Sequence, residues 1–135
     1  MKLSEFIKQS TVPAKLIHAV VRRVGGWEEF QMIAKDVVRH GADCGVHNFI
    51  YYADTVAFTK RNKRAILEFA AAQDSEMDCR GLVRFVAGFR CADETEDDLA
   101  RALYAGRGDA VTGIYNALAW YALEEVCRSY VDILD

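Results

Sequence analysis

A chain of 135 residues, 52% of them hydrophobic, is long enough to bury one core and needs neither disulfides nor a metal to hold it. Its net charge of −3 argues against a general nucleic-acid binder, whose affinity rests on many lysines and arginines releasing counterions. One proline and nine glycines are too few for the turns of a β-sandwich or barrel, and no apolar run approaches the ~20 residues of a membrane span.

A short first helix is predicted over Leu3–Gln9, followed by a second that Thr11 can cap, with Pro13 tolerated in its first turn. Leu16, Ile17, Val20, Val21 and Val24 then recur at helical spacing until Gly25 and Gly26 end the segment. The third helix spans Trp27–His40, with Trp27, Phe30, Ile33, Ala34, Val37 and Val38 on its apolar face and Gly41 as its stop. Residues 41–48 read as a loop. Residues 49–53, FIYYA, are assigned to helix rather than strand, because no second strand-like run exists to pair with them.

From Asp54 the pattern is helical to Gln73, with a break expected near Asn62 and with Phe58, Ile66, Phe69 and Ala70 on the buried side. Ser75 with Asp78 forms a capping-box pattern for a helix to Arg90, and Thr95 with Asp98 caps a shorter one to Ala105. Asp109 then caps the longest helix, over 110–133. Its apolar positions, among them Tyr115, Leu118, Ala122, Val126, Trp120, Leu123, Cys127 and Tyr130, cover most of its girth. A helix of that kind is expected to be central and packed on several sides. The fold class is therefore all-α: a single helical domain, residues 1–135, of five to seven helices around a long C-terminal helix.

The four cysteines, Cys44, Cys79, Cys91 and Cys127, form no CxxC pair, and the first residues do not read as a signal peptide, so reduced thiols in the cytoplasm are expected. Polar and aromatic side chains concentrate in residues 40–69. His40, Asp43, Cys44 and His47 have the spacing of a metal-binding loop. They lack the distant second ligand pair that structural zinc sites use, so no metal and no cofactor is expected. Tyr51, Tyr52 and Asp54 form a second cluster, in which Tyr51 and Asp54 share a helix face at i,i+3. Lys60, Arg61, Lys63 and Arg64 make a basic knot beside Phe58, the composition with which proteins grip single-stranded nucleic acid. An acidic run, Asp93, Glu94, Glu96, Asp97 and Asp98, could mimic phosphate charge toward a basic partner.

The residues Gly41, Ala42, Asp43 and Gly45, then Phe49, Ile50, Tyr51, Tyr52, Asp54 and Thr55, make a Gly-Ala-Asp-x-Gly turn, a Phe-Ile-Tyr-Tyr-x-Asp-Thr stretch and a basic helix. This segment resembles a group of small uncharacterised proteins of bacteria and their phages. The resemblance covers about a fifth of the chain. It implies a phage or mobile-element origin and, with it, an inhibitor that binds host machinery, but no particular activity.

The function expected is that of a non-enzymatic interaction protein with a host protein as partner and no membrane association. Its binding residues would be Asp43, His47, Tyr51, Tyr52, Asp54, Lys60, Arg61 and Arg64. One alternative is a small enzyme or ligand-binding domain, with a metal as one possible ligand, whose site lies near residues 40–55. Another is a nucleic-acid-binding protein using the basic run 60–64. Self-association into a homo-oligomer is compatible with either partner class.

Overall fold

The computed structural model describes residues 1–40, 52–73 and 109–135. These form five α-helices and no strand: α1 (Leu3–Gln9), α2 (Ala14–Val24), α3 (Trp27–His40), α4 (Tyr52–Gln73) and α5 (Asp109–Leu134). The expected all-α class, the boundaries of α1 and α3 and the dominant C-terminal helix are all present. The helices expected over 75–90 and 95–105 lie outside the described residues.

Pro13, not Thr11, occupies the capping position of α2, and no side chain caps it. The Pro13 carbonyl accepts the N–H groups of Leu16 and Ile17 at 3.0 and 3.1 Å. The proline's fixed φ suits the residue that leads into a helix. The hydroxyl that organises this turn belongs to Ser10. Its Oγ accepts the Val12 N–H at 3.0 Å and pairs with Ser129 Oγ at 2.7 Å, pinning the α1–α2 link to α5.

Gly25 and Gly26 stop α2 as expected, with φ of 115° and 119°. Residues with a Cβ avoid that region, which is why glycine stands here. The Gly26 N–H closes back on Val21 O at 2.8 Å while its carbonyl accepts the Phe30 N–H, so one glycine ends α2 and opens α3.

α5 is the hub and packs against α1, α2, α3 and α4. Its buried residues run from Tyr115 through Leu118, Ala119, Ala122, Leu123, Val126 and Cys127 to Tyr130, more than one face of a helix. At one end Phe6 of α1, Trp27 and Phe30 of α3 and Tyr130 of α5 form an aromatic box. Every pair of these rings lies 5.4–6.0 Å apart, the three from α1 and α3 stacked and Tyr130 edge-on to each. Such pairs add roughly 0.5–1.5 kcal/mol each beyond the area they bury. The polar edges are also satisfied: Trp27 Nε1 donates to Met1 O at 3.1 Å, and Gln31 Nε2 donates to Tyr130 Oη at 3.1 Å. Val38, assigned to the buried face of α3, is instead 37% exposed, one residue past the face that Phe30, Ala34 and Val37 define.

α4 packs along α5 through Phe58, Ile66, Phe69 and Ala70, the four residues its periodicity marks. No break occurs at Asn62. Its side-chain amide donates to Phe58 O at 2.8 Å, one turn back, so the amide is buried without interrupting the helix. Thr59 Oγ1 donates to Tyr115 O at 2.6 Å and ties α4 to α5 through a buried bond. Farther along, Tyr121 of α5 stands 6.5 Å from the Phe69 ring. Burial, and then the neighbouring Glu125 carboxylate, push its phenol up to about 12 against the opposing effect of Arg128.

Candidate functional site

Of the expected binding residues, the structure describes the side chains of Lys60, Arg61 and Arg64. Asp43, His47 and Tyr51, with Cys44, lie outside the described residues, as does the acidic run 93–98. Tyr52 and Asp54 belong to the first turn of α4. His40 is exposed in the last turn of α3, and among the described residues no three His, Cys, Asp or Glu side chains are grouped so as to hold a metal ion.

The basic knot on α4 is divided by the helical turn. Lys60, Arg61 and Arg64 are exposed. Arg64 Nε lies 3.0 Å from Glu68 Oε1, a surface pair worth little in energy. Lys63 turns to α5, its Nζ 6.0 Å from the centre of the Tyr115 ring. Arg61 turns to α2. Phe58, the aromatic that would stack a base, is 5% exposed and belongs to the core.

Arg61 opens onto a cleft of about 870 Å³ between α2 and α4. The α2 wall carries Lys15, His18, Arg22 and Arg23, with Ala19 among them. The α4 wall carries Arg61 and Asn62 with Ala57 and Phe58. No Asp or Glu is among these described lining residues. Lys15, His18 and Arg22 follow each other at i,i+3 and i,i+7, so they rise along one side of α2, while Ala19 and Arg23 make the adjacent row at i,i+4. Ala19 and Ala57 are short side chains on facing helices. They leave room between walls that are long and cationic.

Sequence reasoning centred on 40–64 missed this wall, although α2 carried a signal. It holds three permanent cations and no acid, in a chain whose net charge is −3. Lys15 sits in its first turn, where the helix dipole favours an acid, and the first turn contains none. Like charges at helical spacing repel. A helix that carries cations and no acid of its own draws anionic groups from elsewhere. Chemically, the arrangement can bind: guanidinium forks, an ammonium, an imidazole and an amide converge on one concavity. It brings no described nucleophile beside a base.

No helix among the described residues is long and apolar enough to cross a membrane. No curated protein and no solved structure matches the chain. The model of a domain of unknown function, DUF7222, matches residues 9–135, nearly the whole chain, and the protein belongs to that family.

Proposed function

We propose that this is a non-enzymatic interaction protein of phage or mobile-element origin that works in the cytoplasm by binding, and thereby inhibiting, a host protein. Its partner presents an acidic segment, and the binding surface is the α2–α4 cleft with the exposed cations of α4 at its edge. The observation that carries this reading is the cleft's charge: Lys15, Arg22, Arg23 and Arg61, with His18, on a chain that is acidic overall. Arg clusters are a recurrent means of recognising acidic and phosphorylated motifs, and such charge complementarity sets partner choice and encounter rate.

The nucleic-acid alternative draws on the same cations, Lys60, Arg61 and Arg64 among them. The burial of Phe58 favours the protein partner, because single-strand binders rely on exposed aromatic faces as well as charge.

The test is co-purification of partners from host lysate with the wild-type chain and with Arg22→Glu/Arg61→Glu, followed by binding to the isolated partner in a salt series. A partner that is lost in the variant and released by salt supports the reading. A partner retained by the charge-reversed variant, but lost on replacing Tyr51 and Asp54, would move the surface to the tyrosine-rich segment. Retention in both would remove both surfaces. An electrophoretic shift with DNA or RNA stronger than any protein association would favour the nucleic-acid alternative.

A further inference from the structure

We infer that the α2–α4 cleft recognises phosphoryl groups, and that its occupant is a compact polyphosphate chain, either free or carried by a nucleotide. This rests on the reading of the cleft as the binding surface and goes beyond it: the phosphoryl ligand and the acidic segment of the proposed partner compete for one site.

The first argument is charge density. Lys15 and Arg22 are seven residues apart on α2, about 10 Å along the axis. Arg61 faces them from α4, and all three open on the same 870 Å³. Several full positive charges therefore meet within the space of one small ligand, for which sites are typically about 300–1,000 Å³. An extended acidic peptide presents one carboxylate to a given wall every second residue, about 7 Å apart. A terminal phosphoryl group brings roughly 1.5–2 negative charges and three acceptor oxygens to one point, and each phosphoryl linked behind it adds a further charge. Two or three linked phosphoryl groups fit within the roughly 10 Å between Lys15 and Arg22 along the axis and offer an anionic charge to each of Lys15, Arg22 and Arg61.

The second argument is donor type. Among the described lining residues the charged groups are all donors, three guanidinium forks and an ammonium, beside one imidazole. Guanidinium binds phosphate oxygens in pairs, and lysine supplies a point charge beside it. The third argument is space. Ala19 and Ala57 stand among the long cationic side chains that line the cleft. On a merely solvated basic face nothing would require short side chains between the long ones.

Calorimetric titration of the full chain at low salt tests this, with tripolyphosphate, a nucleoside triphosphate and a hexaglutamate peptide as probes. Tripolyphosphate should bind at least tenfold more tightly than hexaglutamate. Arg22→Gln/Arg61→Gln should weaken it at least tenfold. Ala19→Leu, which fills the cleft and leaves the charge unchanged, should do the same, and Ala57→Leu serves the same end from the other helix if Ala19→Leu unfolds the chain. Equal affinity for tripolyphosphate and the nucleoside triphosphate assigns recognition to the chain of phosphates; tighter nucleotide binding adds the base or sugar. Both support the inference. Hexaglutamate binding as tightly as tripolyphosphate, with loss in the double variant, overturns phosphoryl recognition and leaves the acidic-partner reading intact. Binding that survives the filled cleft overturns the inference in favour of diffuse surface attraction. No binding of any probe removes the cleft as an anion site altogether, and the reading it rests on goes with it.

Discussion

Two regions of the molecule differ in kind. Toward α1, α3 and α5 the molecule closes an aromatic box in which four rings meet and their polar edges are hydrogen-bonded. Toward α4 it leaves a cleft whose walls are cationic and whose floor is short. The first arrangement satisfies itself. The second gathers like charges with no acid among its described lining residues. That contrast separates what holds this protein together from what it offers to others.

The contrast predicts that substitutions at the box change stability and leave anion binding in place, whereas those at the cleft do the reverse. Phe30→Ala should show the largest effect. The ring is fully buried and touches three others, so about 3–5 kcal/mol of unfolding free energy should be lost by chemical denaturation. A loss below about 1 kcal/mol would mean that the box is not the anchor described. Gly25→Ala should cost about 1–2 kcal/mol, because the residue holds a φ of 115° that a Cβ disfavours. The new methyl would also meet Glu29 Cγ at 3.3 Å. A thermal melt unchanged from wild type would show that the turn relaxes.

Next in size, Tyr121 should produce an alkaline stability loss. Its phenol is raised from 10.0 to about 12 by burial and the Glu125 carboxylate. Between those values the unfolded chain has released the proton and the folded chain still holds it. The stabilisation is therefore complete below pH 10 and is lost as pH rises through about 12. Tyr121→Phe should flatten that limb of the profile. An identical profile in the variant would assign the loss to other groups.

The smallest effect belongs to the cleft. Arg22→Gln/Arg61→Gln should change the unfolding free energy by no more than about 0.5 kcal/mol, since both side chains are exposed, while reducing anion affinity. A large stability loss here would make these arginines structural and erase the distinction between the two regions.

Among the described residues, most of the fold was legible from residue order. The helical recurrence of Leu16, Ile17, Val20, Val21 and Val24 marked α2, and all five are buried. Phe58, Ile66, Phe69 and Ala70 marked the inner side of α4 for the same reason: a period near 3.6 leaves one stripe to be removed from water. The errors were local competitions that spacing does not decide. Asn62 looked like a break, but its amide bonds the carbonyl one turn back. Thr11 looked like a cap, but Ser10 holds the turn and Pro13 leads into the helix.

The candidate site was less legible. Lys60, Arg61, Lys63 and Arg64 were found as a run, but a run does not say which way each side chain turns. On the helix, Lys63 meets Tyr115, Arg64 meets Glu68, and Arg61 joins α2.

Composition and periodicity by themselves determined that this chain is helical, which faces it buries and that its longest helix lies at the centre. Those properties follow from short-range repetition, which is written residue by residue. Only the tertiary structure decided that Lys15, Arg22 and Arg61, up to 46 positions apart, share one cleft with no described acid on its walls. The reason is physical: packing α2 and α4 against each other, and both against α5, is a long-range outcome of burial, and it creates a charge pattern that belongs to no segment of the chain.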